Sequence, residues 1–452
     1  MKKEIRHHDY TTGSIVSNIW KLALPMIVTN MFQTIFGVVD TIFVGKLGPD
    51  AIAGVGMSGT VMFMVMTIAV GITIGVVAMV SRFFGAGDYA AANKVASQSF
   101  LLVTIMSAIL SVIGILISRP VLHFLGASPA VEKLGMDYMN IMFLGCVTIF
   151  YTFQASAVLR GAGDTITPMK IMALSVILNI ILDPLLIFGI WIFPRMGVKG
   201  AAVATVISRG IGGAIGLYVL FTGRFRIKIS LKEMIPDLSV LWRILKLSIP
   251  ASAHSLIISG SGFVLMRIVG AYGTITTAAY IIGMRVQMLV MMPGFGFAGA
   301  TSTLVGQNLG AEKPERAEQS AWASAKIYAA IMIAAGIAFF IFSRQLVAIF
   351  SKNIRVIEIG SVYVKFMSSA YVFLALGMVF TRALQGAGDA VSPTVITAIT
   401  SFGLQIPLTL IMPKLFGLGE KGLWFAMAVA TAVHGLIAMF WFRRGKWKYK
   451  KV

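Results

Sequence analysis

Two acids stand where an apolar chain has little reason to keep them. Asp40 ends the stretch Gln33-Thr34-Ile35-Phe36-Gly37-Val38-Val39-Asp40, and Asp183 lies in Asn179-Ile180-Ile181-Leu182-Asp183-Pro184, each deep inside a long hydrophobic run. A carboxylate at the centre of a membrane helix costs roughly 2.5–3.5 kcal/mol on insertion scales, so such a residue marks a function by default. Gln33, Phe36, Gly37 and Asp40 recur at helical spacings and share one face. Asn179 and Asp183 are one turn apart and share another. Pro184 has no N–H, which frees the carbonyl of Ile180. Two carboxylates brought together cannot both stay ionised without a cation between them. The chemistry on offer is therefore capture and release of H⁺ or Na⁺. The plainer alternative is a polar clasp between two helices. Gln33 either orients the acid, touches a substrate or glues helices, and Gly37 leaves room for a ligand or another backbone.

The frame that must position these groups is a membrane one. The chain has 452 residues, 58% hydrophobic and 12% charged, and its mean hydropathy is +0.88. Soluble domains carry about 25% charged residues. At roughly 25 residues per span with its link, about twelve helices fit. A net charge of +21 suggests nucleic acid in a soluble protein. Here the charges sit in links and tails and speak of membrane orientation instead, so the expected partners are the bilayer and small molecules, with no nucleic acid. The single cysteine, Cys146, excludes an internal disulfide and reads as a core residue. No short apolar core with a small-residue cleavage site follows the polar start, so no cleaved leader is expected. No Asp-x-x-x-Asp cluster for a metal diphosphate is present, which argues against an intramembrane transferase; the chain is not expected to be an enzyme.

Hydropathy starts spans near Ile15, Ile52, Ala91, Glu132, Pro168, Gly200, Leu241, Ala278, Ala317, Ile354, Pro393 and Leu423. The longest polar link, with Arg224, Arg226, Lys228 and Lys232, divides them six and six. The expected division is an N-terminal lobe over 1–222, a cytoplasmic linker over 223–242 and a C-terminal lobe over 243–452 that ends in a basic cytoplasmic tail. Most Lys and Arg fall on the links and tails assigned to the inside, which puts both ends in the cytoplasm. The tail Arg443 to Lys451 reads as an orientation and lipid-headgroup anchor. Arg209, Arg267, Arg285 and Lys365 lie in or near spans, where some long cationic side chains snorkel, and Arg267 either does so or answers an internal carbonyl or acid. His254 and His434 relay protons or simply hydrogen-bond. Met64, Met288, Met291 and Met292 line a deformable cavity or pack against lipid.

The halves repeat. Leu22-Ala23-Leu24-Pro25 answers Leu247-Ser248-Ile249-Pro250, Gly85-Ala86 answers Gly310-Ala311, and Leu159-Arg160-Gly161-Ala162-Gly163-Asp164 answers Leu384-Gln385-Gly386-Ala387-Gly388-Asp389, all 225 residues apart. The Gly-Ala-Gly-Asp links are read as turns, since no Lys-Ser/Thr follows them. An even number of spans per repeat starts both on the same face, so the fold expected is an all-α membrane protein of twelve transmembrane helices in two pseudo-symmetric six-helix bundles, parallel repeats about an axis along the membrane normal. Two such bundles can rock to give alternating access. At the same offset Asp40, Asn179 and Asp183 answer Leu265, Leu404 and Leu408, so the scaffold repeats while the acids do not.

These features resemble the multidrug and toxic compound extrusion (MATE) family of cation-coupled antiporters along essentially the whole chain. Asp40, Asn179 and Asp183 resemble the DinF-type branch, whose coupling site is in the N-terminal lobe. The acids that the NorM-type branch carries on spans seven and ten are absent here. The resemblance implies a first helix hinged at Pro25, and a threonine on span six, at Thr205, with a small residue, Ala201, four before it. It implies that H⁺ or Na⁺ meets Asp40, Asp183, Asn179 and Thr205, these four serving as metal ligands only where Na⁺ is the ion. No cofactor is implied. The expected function is export of organic, cationic amphiphiles by a monomer in the inner membrane of a prokaryote. The alternative is a flippase for a lipid-linked precursor of the same wider superfamily.

Overall fold

The computed structural model describes residues 8–223, 226–415 and 417–450. Arg224 of the linker, Lys451 of the tail and the polar start up to His7 lie outside them. The described residues form helices joined by short links, with no strand among them. In chain order α1 is Ile15–Gly45, α2 Pro49–Gly85, α3 Tyr89–Phe124, α4 Pro129–Leu144, α5 Cys146–Gly161, α6 Ile166–Phe188, α7 Val198–Thr222 and α8 Leu238–Gly270. Then follow α9 Thr274–Gly310, α10 Pro314–Ile341, α11 Ser343–Ala348, α12 Ile354–Ser369, α13 Tyr371–Gly386, α14 Val391–Ala398, α15 Ile406–Leu415 and α16 Glu420–Arg443.

Ten helical runs are long and apolar enough to cross a bilayer, Val391–Leu415 counting as one. Two further spans are broken: α4 and α5 meet at 51°, and α12 and α13 at 55°. Each broken pair taken as one span makes twelve, in the expected order. The breaks fall at Gly145 and Ala370, which are repeat positions 225 apart. At Gly145 the backbone lies so close to Val206 of α7 that a Cβ would overlap it. The repeated links are turns, as read. Gly163 and Gly388 have φ of 91° and 88°, a region open chiefly to glycine. Asp164 Oδ1 then accepts from the N–H groups of Ile166 and Thr167, and Asp389 Oδ1 from that of Ser392, satisfying the first turn of the next helix.

By contacts the chain forms two compact units. The first holds Val28–Ser248 and the second Tyr10–Ile27 with Ile249–Val452. The helices α1 and α8 each run unbroken through a proline, Pro25 and Pro250, and each passes from one unit to the other within three residues of it.

The linker is fastened to the first unit. Gln98 of α3 donates its amide to the carbonyls of Glu233 and Ile235 and accepts from the N–H of Asp237. Lys94 pairs with Asp237 at 2.5 Å, and Asp237 Oδ1 caps α8 through the N–H groups of Ser239 and Val240. The tail is likewise folded, in the second unit. Residues Lys446–Tyr449 make a short 3-10 turn whose Trp447 is fully buried, stacks on Phe442 and donates to its carbonyl. Lys448 pairs with Glu318 at 2.6 Å and Lys450 with Asp389 at 3.2 Å. Packing and two acids of the same unit thus hold Trp447, Lys448 and Lys450.

Candidate functional site

Both acids lie in the first unit. Asn179 and Asp183 point from α6 into the protein, both wholly buried, and Asn179 Nδ2 donates to Asp183 Oδ1 at 3.0 Å. Asp40 comes from the second half of α1, 9% exposed. The charge of Asp40 acts on Asp183, and the charges of both acids act on the phenol of Tyr138 on α4. Small residues on α7 let α6 close in. A Cβ on Gly200 would strike the backbone of Leu186, and one on Gly212 would strike Ser175. Thr205 and Ala201 lie on the buried face of α7.

Among the described residues no cation pairs with either acid; the six ion pairs all lie elsewhere. Asp40 Oδ1, Asp183 Oδ2, Asn179 Oδ1, Thr205 Oγ1, Ser175 Oγ and Ser208 Oγ are buried without a protein hydrogen-bond partner. Thr205 therefore does not spend its hydroxyl on its own helix. No group of three or more His, Cys, Asp or Glu side chains among the described residues fits a metal, so the donor set is two carboxylates, an amide and hydroxyls. Such hard oxygens suit H⁺ or Na⁺.

The remaining sequence candidates fall elsewhere. Gly37 is exposed and a Cβ there would meet nothing within 4 Å, so no neighbouring backbone uses the room it leaves. Pro25 stands earlier on α1, in the part counted with the second unit. Phe36 is buried with Met172 and Val176, and Gln33 is exposed.

Both Phe36 and Gln33 contact Arg209, a residue to which the sequence reading gave no role of its own. Arg209 does not snorkel. It is 5% exposed, lies over the Phe36 ring at 4.3 Å, and donates to Gln33 Oε1 at 3.0 Å and to Met172 Sδ at 3.1 Å. Arg267, Arg285 and Lys365, by contrast, are exposed. Tyr138 was missed altogether; nothing in its local sequence sets it apart, and only the packing of α4 brings it to the acids.

The repeat mates need correcting too. The span opposite α6 contains a π-helical stretch, Ile399–Gln405, which absorbs one extra residue in a helix. At its start Ser175 and Val176 answer Thr400 and Ser401; after it buried Asp183 and Ile187 answer buried Thr409 and Pro413. Asn179 and Asp183 thus answer Gln405 and Thr409 rather than Leu404 and Leu408. In the second unit His434 shares a 2.9 Å hydrogen bond with Thr400 beside this stretch.

A family model described as MatE matches residues 25–185 and again 250–411, so the two matches begin 225 residues apart and end 226 apart. The chain is 32% identical to the probable multidrug resistance protein NorM of Thermotoga maritima, over 96% of this chain and 93% of that one. It is 28% identical to the FAD transporter of Shewanella oneidensis, over 96% and 95%. It is similar in structure to a MOP superfamily transporter from Pyrococcus furiosus described by a binding pocket of reverse polarity, with a TM-score of 0.91, 26% identity and full coverage of both chains. With the family model matching both repeats and most of their length, the chain belongs to the MatE family, and it is a multi-pass membrane transporter and not an enzyme.

Proposed function

We propose that the chain is a secondary antiporter that exports small amphiphilic organic compounds, cationic ones included, in exchange for inward H⁺ or Na⁺, with coupling confined to the N-terminal lobe as in the DinF-type branch. The observation that carries this is the buried pair Asp40 and Asp183, without a cationic partner and beside buried oxygens that no protein donor reaches. A pair of acids kept in that state is disposed to take up a cation and to give it up when the surroundings change. A coupling ion acts only through a difference in its affinity for two states. Here α1 supplies the difference. It carries Pro25 and Asp40 on one helix, so a cation shared by Asp40 and Asp183 draws on the helix, and a bend at the proline shifts the face that bears Gln33, Phe36 and Gly37. Substrate bound there then loses its place. Both termini are read as cytoplasmic, in the inner membrane of a prokaryote, and the working unit as a monomer.

The test uses purified protein in liposomes loaded with a fluorescent lipophilic cation, with a pH gradient or a Na⁺ gradient imposed separately. Wild type should respond to one gradient, and Asp40→Asn and Asp183→Asn should lose at least about tenfold in coupled rate, the scale of one strong charged contact, at normal expression. Antiport at the wild-type rate by Asp40→Asn would sink the mechanism. If neither gradient moves the dye in wild type, the reading passes to the alternative, a flippase for a lipid-linked precursor.

A further inference from the structure

We propose that Arg209, seated on Phe36, is a substrate-recognition residue, and that the compounds this transporter prefers are aromatic molecules bearing a carboxylate. The proposal rests on the antiporter reading only for the word substrate; the recognition itself is a binding property.

A guanidinium keeps its charge under all ordinary conditions, and a buried one without an acid is costly unless it has work to do. Arg209 has no acid. Neither Asp40 nor Asp183 is among its hydrogen-bond partners. Its partners are all neutral, an amide oxygen, a thioether and an aromatic ring. Only two of the five N–H donors of a guanidinium are used. The Phe36 ring lies 4.3 Å from the guanidinium carbon, and a ligand carboxylate would meet the guanidinium through its N–H donors.

One of those donors is held by Gln33. Gln33 is exposed, as is Gly37 one turn on, where a Cβ would meet nothing within 4 Å. The amide oxygen of Gln33 is a neutral acceptor on a flexible side chain. A carboxylate makes charge-assisted, paired hydrogen bonds with the same guanidinium and displaces it. The half-buried ring of Phe153, 6.0 Å from the guanidinium, and Phe36 supply an aromatic setting for the body of the ligand. Along α1, Gln33 and Asp40 are seven residues apart, about 10 Å of helix and close to the length of three fused rings. A carboxylate on Arg209 therefore leaves the far end of such a molecule directed toward the acids, where a basic group is welcome.

The experiment is equilibrium binding by fluorescence polarisation to the purified full-length protein, using rhodamine 110 and rhodamine 123. They share one ring system and differ in that the second is the methyl ester of the first. Wild type should bind the free acid more tightly than the ester. Arg209→Gln should weaken the acid by about tenfold or more and leave the ester within about twofold. Arg209→Lys, a point charge without the fork, should fall between. A purely structural clamp on Gln33 predicts equal losses for both dyes, and that result overturns the proposal. So does a wild-type protein that prefers the ester. If Arg209→Gln does not fold, Arg209→Lys decides: retained preference for the acid supports the proposal, and parallel loss of both dyes overturns it. Preference for the acid together with no gradient-driven movement of either dye would remove the antiporter reading and leave this one standing.

Discussion

At the scale of single residues, two glycines give opposite expectations. Gly435 of α16 lies so close to Phe373 that a Cβ would fall on the backbone carbonyl. Backbone cannot step aside as a flexible side chain can. Gly435→Ala should cost about 1–3 kcal/mol, read as a lower melting temperature of the purified protein. Gly213 of α7 approaches the backbone of Thr148 with more room, so Gly213→Ala should cost less. Gly37→Ala meets nothing and replaces a poor helix former with a good one, a gain of up to about 1 kcal/mol. It should hold or raise the melting temperature. If the exposed face of α1 receives substrate, dye affinity should change all the same; unchanged affinity would remove Gly37 from the substrate surface.

At the scale of elements, the π-helical stretch and the tail are the informative pieces. The stretch Ile399–Gln405 carries one residue more than α6 does, yet the faces before and after it are buried in the same pattern. Deleting Gly403 should restore an ordinary helix with those faces kept, so the protein should still fold and melt no lower than wild type. Transport should fall, because the deletion alters the backbone beside the Thr400–His434 hydrogen bond and such stretches are concentrated at working sites. Loss of folding on deletion would show that the extra residue is a packing requirement. The tail makes the opposite point, since its weight is structural. Trp447 is fully buried, and Trp447→Ala should destabilise by about 3–5 kcal/mol, the usual range for emptying a large aromatic site.

At the scale of the whole molecule, α1 and α8 tie the two units together, each changing unit near its proline. The linker, in contrast, belongs to one unit alone. Its pH response follows from Asp237. The hydrogen bond from Lys94, helped by the N–H of Val240, holds the Asp237 carboxyl below its usual 3.8. A depressed carboxylate contributes above its unfolded pKa and is lost as pH falls through the folded one. Lys448 is the reverse case: the bond to Glu318 raises it above 10.5, so its contribution persists through neutral pH and is lost only as pH rises past that raised value. Cleavage of the linker by an acid-stable protease should thus accelerate below about pH 4, and Asp237→Asn should cleave at that faster rate already at neutral pH. Equal rates for both proteins at neutral pH would show that the Gln98 bonds hold the linker unaided.

The sequence alone determined what depends on neighbours along the chain. Hydropathy placed the spans because a bilayer tests one apolar run at a time. Gly163 and Gly388 marked turns because only glycine takes that φ freely. Asp40 and Asp183 were legible because an acid inside an apolar run is costly wherever it sits. The tertiary structure alone decided what depends on partners far away in sequence. Arg209 meets Gln33 across 176 residues, and no local pattern tells a buried arginine from one that snorkels; the packing of α7 against α6 and α1 does. Tyr138 joins the acids for the same reason. The extra residue in the eleventh span moved two repeat mates by one position, an offset too small to register in short matched motifs but sufficient to turn a helix face by about 100°.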